Sequence, residues 1–406
     1  MIEKTKCMSK GVIIASILLA LFVDVKILNL IVIVARPSLS GIFMTMMYAV
    51  VVIGLFFTGL FVQKRGVANL MFSHISICGI CVIWYVITST FIATPSVNMQ
   101  LFCIFTVAAF LIPGIVCIDM HIFLLTLIIL PSIGVAYLDK IFISEILEKG
   151  VVSMGTCYAL LVPVLGNLVY LRFYYNKETV WMRTVMLFFA AINFYYLIQM
   201  TMYGSRGPVL CALLLVISFF IVKIDNYGKV LMYKGRVSIF IISIIILSLS
   251  FTTILQVLSD FLATFDISLN VIDKFLWLED EGDITNGRDS LSSIVLKCIM
   301  ESPILGHGVS QFLNNTGVVY PHNFILQLLY DGGIILTCLV IIPITKNLKY
   351  KIGKVSESEF ICLLFLFFAS VPGSLFSGDL WNAGTLWMFF GFVLAKNSVI
   401  KKQNTY

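Results

Sequence analysis

The chain of 406 residues is 60% hydrophobic and only 12% charged, and its mean hydropathy is +1.03. A soluble domain carries about 25% charged residues, so this composition excludes an ordinary water-soluble globular protein and favours a bilayer protein. The net charge of +6 at pH 7 arises from small lysine and arginine clusters at the ends of apolar runs. Such clusters orient membrane proteins, so we expect no nucleic-acid partner.

Continuous apolar runs fill the chain, for example at 237–251 and 360–368. The strands of a membrane barrel instead alternate over about 10 residues, whereas a membrane helix needs about 20 apolar residues. We therefore predict an all-α, polytopic integral membrane protein with about twelve transmembrane helices, forming a single transmembrane domain over 1–406. The predicted spans are 11–33, 40–62, 67–91, 99–117, 120–138, 152–171, 181–202, 208–223, 237–256, 323–345, 358–375 and 381–396.

Lysines and arginines are divided unevenly between alternate connections. If the N-terminus lies inside, the inner segments carry the basic clusters at 4–10, 64–65, 172–183, 223–236, 346–354 and 396–402. The outer connections then hold few basic residues. Because cytoplasmic loops are enriched in lysine and arginine, we expect both termini to be cytoplasmic.

One predicted outer connection, from about 256 to 321 between spans nine and ten, is far longer than the others. Connections beyond about 15 residues are usually functional or disordered. Within it, the segment 289–300 begins with a possible helix cap at Asp289 or Ser290. Its apolar residues have the spacing of one helix face, namely Leu291, Ile294, Val295 and Cys298. We predict an amphipathic helix that lies on the membrane surface or on the helix bundle.

Two arginines stand out on this lysine-poor outer face. Arg206 lies between two spans in the segment 203–208, where glycines permit a tight turn and Pro208 suits the first turn of a helix. Arg288 directly precedes the amphipathic segment. A guanidinium group binds phosphate through two parallel hydrogen bonds and keeps its charge. The alternatives are that Arg206 reaches lipid headgroups from the interface and that Arg288 is a solvated loop charge.

His322 lies in Tyr320-Pro321-His322-Asn323, where the long loop re-enters the membrane. A histidine at this position can accept a proton near neutral pH. Pro321 restricts the residue before it and Asn323 can cap the following helix, so part of this pattern is also typical of any helix start.

The remaining candidates have plainer explanations. His307 lies between two glycines and fits a turn, and we interpret His74 and His121 as structural or interhelical residues. The acidic run 279–283 lacks the regular spacing of a calcium loop. We therefore predict no metal site and no cofactor.

Taken in order, these elements resemble the O-antigen ligase and polymerase superfamily of the WaaL and Wzy type. Members of that superfamily have many spans, a large late outer loop and a recurring series of short motifs. The corresponding elements here are Ser205-Arg206-Gly207, Arg288, the Pro303-x-x-Gly306-x-Gly308 element, His322-Asn323 and Asp331-Gly332-Gly333. The resemblance covers roughly 180–345, and the first 150 residues contribute only spans.

The resemblance implies a metal-independent glycosyltransferase in the bacterial inner membrane, active on its periplasmic face. Its donor and acceptor would be glycans on undecaprenyl pyrophosphate, and a chain-length regulator and a flippase are the protein partners to expect. Arg206 and Arg288 would hold the pyrophosphate, and His322 would orient or deprotonate the acceptor hydroxyl. Ser205, Asn323, Gly306 and Gly308 would complete the substrate-binding set.

The acceptor separates two members of this class. A polymerase, such as one that builds O-antigen or capsule, transfers the glycan to another lipid-linked repeat unit, and a ligase transfers it to the lipid A core. The outer loop offers no basic patch for a phosphorylated core, so we favour the polymerase. A different class, a lipid-linked oligosaccharide flippase, usually places charges within the spans. Here the candidate residues cluster at the outer boundary.

Overall fold

The computed structural model describes residues 9–35, 38, 40–65, 72–91, 97–149, 152–203, 206–224, 230–232, 288–309, 311–352, 354–396 and 398–400, with scattered residues between 235 and 277. The helices are α1 (Lys10–Ala35), α2 (Ser40–Phe57), α3 (Phe72–Phe91), α4 (Val97–Ile115), α5 (Met120–Ile133), α6 (Val135–Lys149), α7 (Met154–Phe173), α8 (Val180–Tyr203), α9 (Arg206–Ile221), α10 (Arg288–Glu301), α11 (Phe312–Thr316), α12 (Phe324–Lys351), α13 (Glu357–Phe376) and α14 (Gly384–Leu394). A π-helical turn, Thr58–Val62, extends α2, and two short strands, β1 (Val222–Ile224) and β2 (Val230–Met232), pair antiparallel after α9.

The protein is an all-α polytopic membrane protein, as the composition predicts. Seven described helices are long and apolar enough to cross a bilayer, and the bent pair of α5 and α6 makes an eighth if it counts as one span. α9, α14 and the segment Thr106–Ile115 of α4 are shorter apolar helices. Each predicted span has a described helix except 237–256, which lies mostly outside the described residues.

Two local features differ from the sequence prediction. The segment after 138, predicted to be an outer connection, is helical to Lys149 and bends by 62° from α5. Strand β1 overlaps the end of the predicted span 208–223, which is helical only to Ile221, and β2 lies in the predicted connection that follows. Three-residue strands are too short to give a readable alternation of apolar and polar residues.

The connections at 63–65, 116–119 and 395–400 meet at one end of the helix bundle. Gln63 donates from Nε2 to the Cys117 carbonyl at 2.8 Å, and Arg65 donates to the Lys396 carbonyl at 3.1 Å. Lys177, in the connection after α7, pairs with Glu357 at the start of α13 at 2.8 Å. These are the connections that the charge pattern assigns to a common side.

Four helix segments lie at the opposite end of the helix bundle, namely the start of α7, the start of α9, the first part of α12 and the end of α13. Ser377, after α13, donates to the Met154 sulfur at 2.7 Å. Asn323 donates from Nδ2 to the Leu375 carbonyl at 3.2 Å. The candidate site residues belong to this end.

Helix α12 breaks within its length. Gly333 has φ +59° and ψ −163°, a conformation that no helix residue adopts and that favours glycine. The helix resumes on the far side of this break and continues to Lys351. The segment 303–308 packs against this break.

Candidate functional site

His322 occupies a strained backbone position two residues before the first residue of α12. Its φ is +58°, in the left-handed region that side-chain-bearing residues rarely adopt. Its ring lies 4.4 Å from the ring of Tyr320, centroid to centroid, and the preceding Pro321 is buried. Strain of this kind persists only where the surroundings impose it, and it is concentrated at functional sites. Among the described residues that are not glycine, Lys64 also has a positive φ (+54°), but it lies at the opposite end of the bundle. His322 is therefore the strained position at the end where the candidate residues lie.

Asn323 holds this turn in place. As the N-cap of α12 it accepts from the backbone N–H groups of Ile325 (2.9 Å) and Leu326 (3.2 Å), which confirms the predicted cap. Its Nδ2 also donates to the Leu375 carbonyl at the end of α13. Both ends of the amide are thus engaged within the protein, so the contacts favour a role in positioning His322. Its predicted contact with substrate stays a prediction.

Arg206 is the first residue of α9, and Pro208 lies in the first turn, as predicted. The next residue, Gly207, lies against Tyr158 of α7 so closely that a Cβ at 207 would overlap the tyrosine hydroxyl. Ser205 and the side chain of Arg206 lie outside the part of the chain that the structure describes. What the structure fixes is the start of α9, at the same end of the bundle as His322.

α10 confirms the predicted amphipathic helix, but it begins at Arg288, so the predicted cap at Asp289 or Ser290 is wrong. The side chain of Arg288 lies outside the described part. α10 packs on α12 rather than lying free, through a cluster that includes Val295, Ile299 and Tyr330. Ile294, predicted on the same apolar face, is 43% exposed, and Ile299 is buried in this cluster instead. The buried face is rotated toward Ile299 because that side meets Tyr330.

The Pro303-x-x-Gly306-x-Gly308 element and the Asp331-Gly332-Gly333 element form one interlocked unit, which we call the glycine joint. A Cβ on Gly306, whose φ is +72°, would lie 2.6 Å from backbone atoms of Asp331, Gly332 and Gly333. A Cβ on Gly333 would overlap the Ile304 carbonyl. Only glycine allows two backbones to approach this closely.

Backbone hydrogen bonds seal the glycine joint. The His307 N–H donates to the Tyr330 carbonyl at 2.7 Å, and the Gly308 N–H donates to the Asp331 carbonyl at 3.0 Å. In the other direction, the Ile334 N–H donates to the Pro303 carbonyl at 2.9 Å. The break in α12 frees these backbone groups, and the loop satisfies them. Gly306 and Gly308 thus shape the segment that packs against the break in α12. Their predicted contact with substrate stays a prediction.

A buried polar network lies beside the first turns of α12. Gln327 donates to Asp379 Oδ1 at 2.6 Å and accepts from the Leu380 N–H at 2.8 Å. Trp381 donates from Nε1 to Asp331 Oδ2 at 2.6 Å. Burial raises the pKa of Asp379, while hydrogen bonds from Gln327 and the Trp381 N–H oppose that rise. The network ties the segment after α13 to the helix that carries His322.

Sequence reasoning missed Gln327, Asp379 and Trp381. The only available signal is the short polar stretch 377–379 between two apolar spans, which reads as an ordinary turn. Tyr158 gives no signal at all, since it is one of 16 tyrosines and lies within a predicted span. Their significance depends on contacts between segments far apart in the chain.

The other three histidines bond within the protein. The partners are the Gly391 carbonyl for His74 (2.9 Å), Glu178 for His121 (2.7 Å) and the Cys298 carbonyl for His307 (2.6 Å). His74 joins α3 to α14, and His121 of α5 also lies 3.4 Å from the Tyr170 hydroxyl of α7, so the structural or interhelical interpretation of both is confirmed. Within the described ranges, no three His, Cys, Asp or Glu side chains gather in a way that could hold a metal ion. The acidic run 279–283 lies outside those ranges.

Comparison with known protein families matches residues 191–341 to the Wzy_C family, described as O-antigen ligase. This segment includes most of α8, all of α9 and α10, the glycine joint and the first part of α12. It therefore contains Arg206, Arg288 and His322. No curated protein matches the chain.

Proposed function

Because residues 191–341 place this membrane protein in the O-antigen ligase and polymerase superfamily of glycan-assembly enzymes, we propose that it polymerises lipid-linked repeat units. The growing glycan leaves undecaprenyl pyrophosphate and passes to a sugar hydroxyl of the next lipid-linked unit. The reaction takes place at the outer face of the bacterial inner membrane, with both chain termini in the cytoplasm. Lipid-linked glycans are its donor and acceptor, and a flippase and a chain-length regulator are its expected partners.

The observation that carries this proposal is the strained position of His322 at the end of the bundle where α9 begins with Arg206. His322 accepts the proton of the acceptor hydroxyl as its oxygen attacks the anomeric carbon of the donor. The bond from that carbon to the pyrophosphate oxygen breaks, and undecaprenyl pyrophosphate leaves. Arg206 and Arg288 stabilise the negative charge on the departing pyrophosphate without a metal ion.

The ligase remains a second candidate because the matching family is described as O-antigen ligase. It would use the same donor and the same three residues, with a lipid A core sugar as acceptor. The glycan profile of a strain in which the gene for this protein is deleted distinguishes the two functions. A single repeat unit attached to the core identifies a polymerase, and free polymer with no attached units identifies a ligase.

The test of the proposed chemistry is complementation of that deletion strain with Arg206→Lys, Arg288→Lys and His322→Ala, read as the length distribution of the glycan. Lysine keeps the charge but loses the bidentate geometry, so each arginine variant should lose long chains while repeat units are still exported. Arg172→Lys is the matched control, since Arg172 is an exposed residue at the last turn of α7, at the opposite end. Long chains in all three site variants would refute the catalytic assignment. Repeat units trapped inside the cell would indicate a flippase.

A further inference from the structure

Tyr158 lies in the second turn of α7 and fills the space between two other helices. On one side a Cβ at Gly207, the second residue of α9, would overlap the Tyr158 hydroxyl, and the ring atom Cζ is 3.2 Å away. On the other side a Cβ at Gly373 of α13 would lie 2.8 Å from the ring atom Cε1. The two glycines allow α9 and α13 to close on the two sides of one tyrosine ring.

These contacts connect the two halves of the candidate site. Gly207 is bonded directly to Arg206. On the other side, Gly373 lies two residues before Leu375, whose carbonyl accepts from Nδ2 of Asn323, and Asn323 follows His322. A continuous set of contacts therefore runs from the start of α9 through the Tyr158 ring to the turn of His322.

We propose that Tyr158 is a positioning residue that sets the separation between Arg206 and His322. The inference rests on the proposed function and deepens it, since Arg206 holds the pyrophosphate and His322 serves the acceptor hydroxyl. An aromatic ring fits this role because it is rigid and has only two side-chain torsions. Displacement of reacting groups by about 1 Å can cost about 100-fold in rate. A change in how closely α9 and α13 approach the Tyr158 ring should therefore have a large effect on the rate of glycan transfer.

A double-mutant cycle tests the contact. Gly207→Ala places a methyl group on the Tyr158 hydroxyl, and the ring cannot retreat freely because α13 lies behind it. We expect the rate of glycan transfer per folded molecule to fall by about 10-fold or more. Tyr158→Phe removes the hydroxyl and keeps the ring, so the loss should be about threefold or less. In the double variant the hydroxyl is gone and the atom nearest to the new methyl group is Cζ of the ring, at 3.2 Å. The rate should therefore recover to that of Tyr158→Phe.

The assay uses purified full-length protein in lipid nanodiscs and lipid-linked glycan extracted from the deletion strain. It measures kcat and KM for the donor, and the melting temperature of each variant is recorded beside them. Displacement of Arg206 should raise KM for the donor in Gly207→Ala and restore it in the double variant. Loss of stability alone would lower the amount of folded enzyme and leave KM unchanged.

Two matched controls lie elsewhere in the helix bundle. Gly166→Ala, also in α7, places its Cβ 2.6 Å from the Leu127 side chain in the middle of the bundle. It should lower the melting temperature without changing KM. Tyr195→Phe removes a hydroxyl that bonds Asp139 at 3.1 Å on α6, and should leave kinetics unchanged.

The outcomes separate this inference from the proposed function. Additive effects of Gly207→Ala and Tyr158→Phe, or recovery of melting temperature without recovery of KM, would overturn the role of Tyr158. Full glycan transfer by His322→Ala and Arg206→Lys would instead overturn the proposed function, whatever the cycle shows.

Discussion

Replacement of Gly306 by alanine is the most direct perturbation of the glycine joint. The new methyl group would lie 2.6 Å from backbone atoms of Asp331, Gly332 and Gly333. Carbon atoms in contact are ordinarily about 3.5 Å apart or more, so the loop and the helix must separate by about 1 Å. None of the crowding atoms belongs to a flexible side chain, and the strain cannot be relieved by a rotamer change.

Two contributions to the loss of stability add in the Gly306→Ala variant. Alanine at φ +72° costs about 1–2 kcal/mol because its Cβ crowds the following carbonyl. Separation of the joint also weakens the hydrogen bonds from the N–H groups of His307, Gly308 and Ile334, each worth about 1 kcal/mol. We expect a loss of about 3–5 kcal/mol in the free energy of unfolding. His322 should be displaced with the loop, so glycan chain lengthening should also be lost.

Gly317→Ala is the matched control. Gly317 has almost the same backbone angle, φ +74°, but a Cβ there meets nothing within 4 Å. It should lose only the backbone term of about 1–2 kcal/mol. Thermal unfolding in detergent, followed by tryptophan fluorescence, measures both variants, since Trp84 donates to the Asp331 carbonyl at 3.3 Å. Equal shifts of melting temperature in the two variants would refute the reasoning, because the overlap would then contribute nothing.

Two further predictions concern buried charges. Lys351 donates to Glu359 (2.5 Å) and to the carbonyls of Phe392 (2.9 Å) and Ala395 (2.7 Å), so Lys351→Met should cost about 3–5 kcal/mol. Lys177→Met, which breaks the more exposed pair with Glu357, should cost less than about 1 kcal/mol; similar melting temperatures for the two would contradict this. Because the pKa of Asp379 is raised, the folded protein binds a proton that the unfolded chain releases above about pH 3.9. Stability should therefore fall as pH rises through that window, and Asp379→Asn should flatten this part of a melting-temperature profile; an identical slope in both proteins would count against it.

The sequence predicts the fold class and the order of spans because membrane insertion depends on local quantities. Apolar length and the distribution of lysine and arginine are properties of neighbouring residues. The helix opened by Arg288 and the cap at Asn323 are local in the same sense, and both are confirmed. The bend of 62° after α5 has local signals, since Pro131 lies inside α5 and Gly134 caps it. The sequence prediction missed the bend because the apolar run continues through both residues.

The candidate site can be predicted from the sequence only in part, because many of its contacts join residues that are far apart in the chain. His322 is recognisable from its position after a proline and before a helix cap, but its left-handed backbone is a product of the folded turn. Tyr158 and Asp379 acquire their importance from partners more than forty residues away, at Gly207 and Gln327 respectively. No spacing rule within one segment encodes such pairs.

The glycine joint also sets how this chain can be recombined. Because 303–308 and 331–335 meet through backbone atoms, neither can be exchanged for the corresponding segment of a relative without the other. The residues between these two segments, including the turn of His322, must be exchanged together with them. The segment before α12 therefore cannot be grafted by itself from one protein into another. The segment that has to be exchanged as a whole extends from 303 into α12 as far as residue 335.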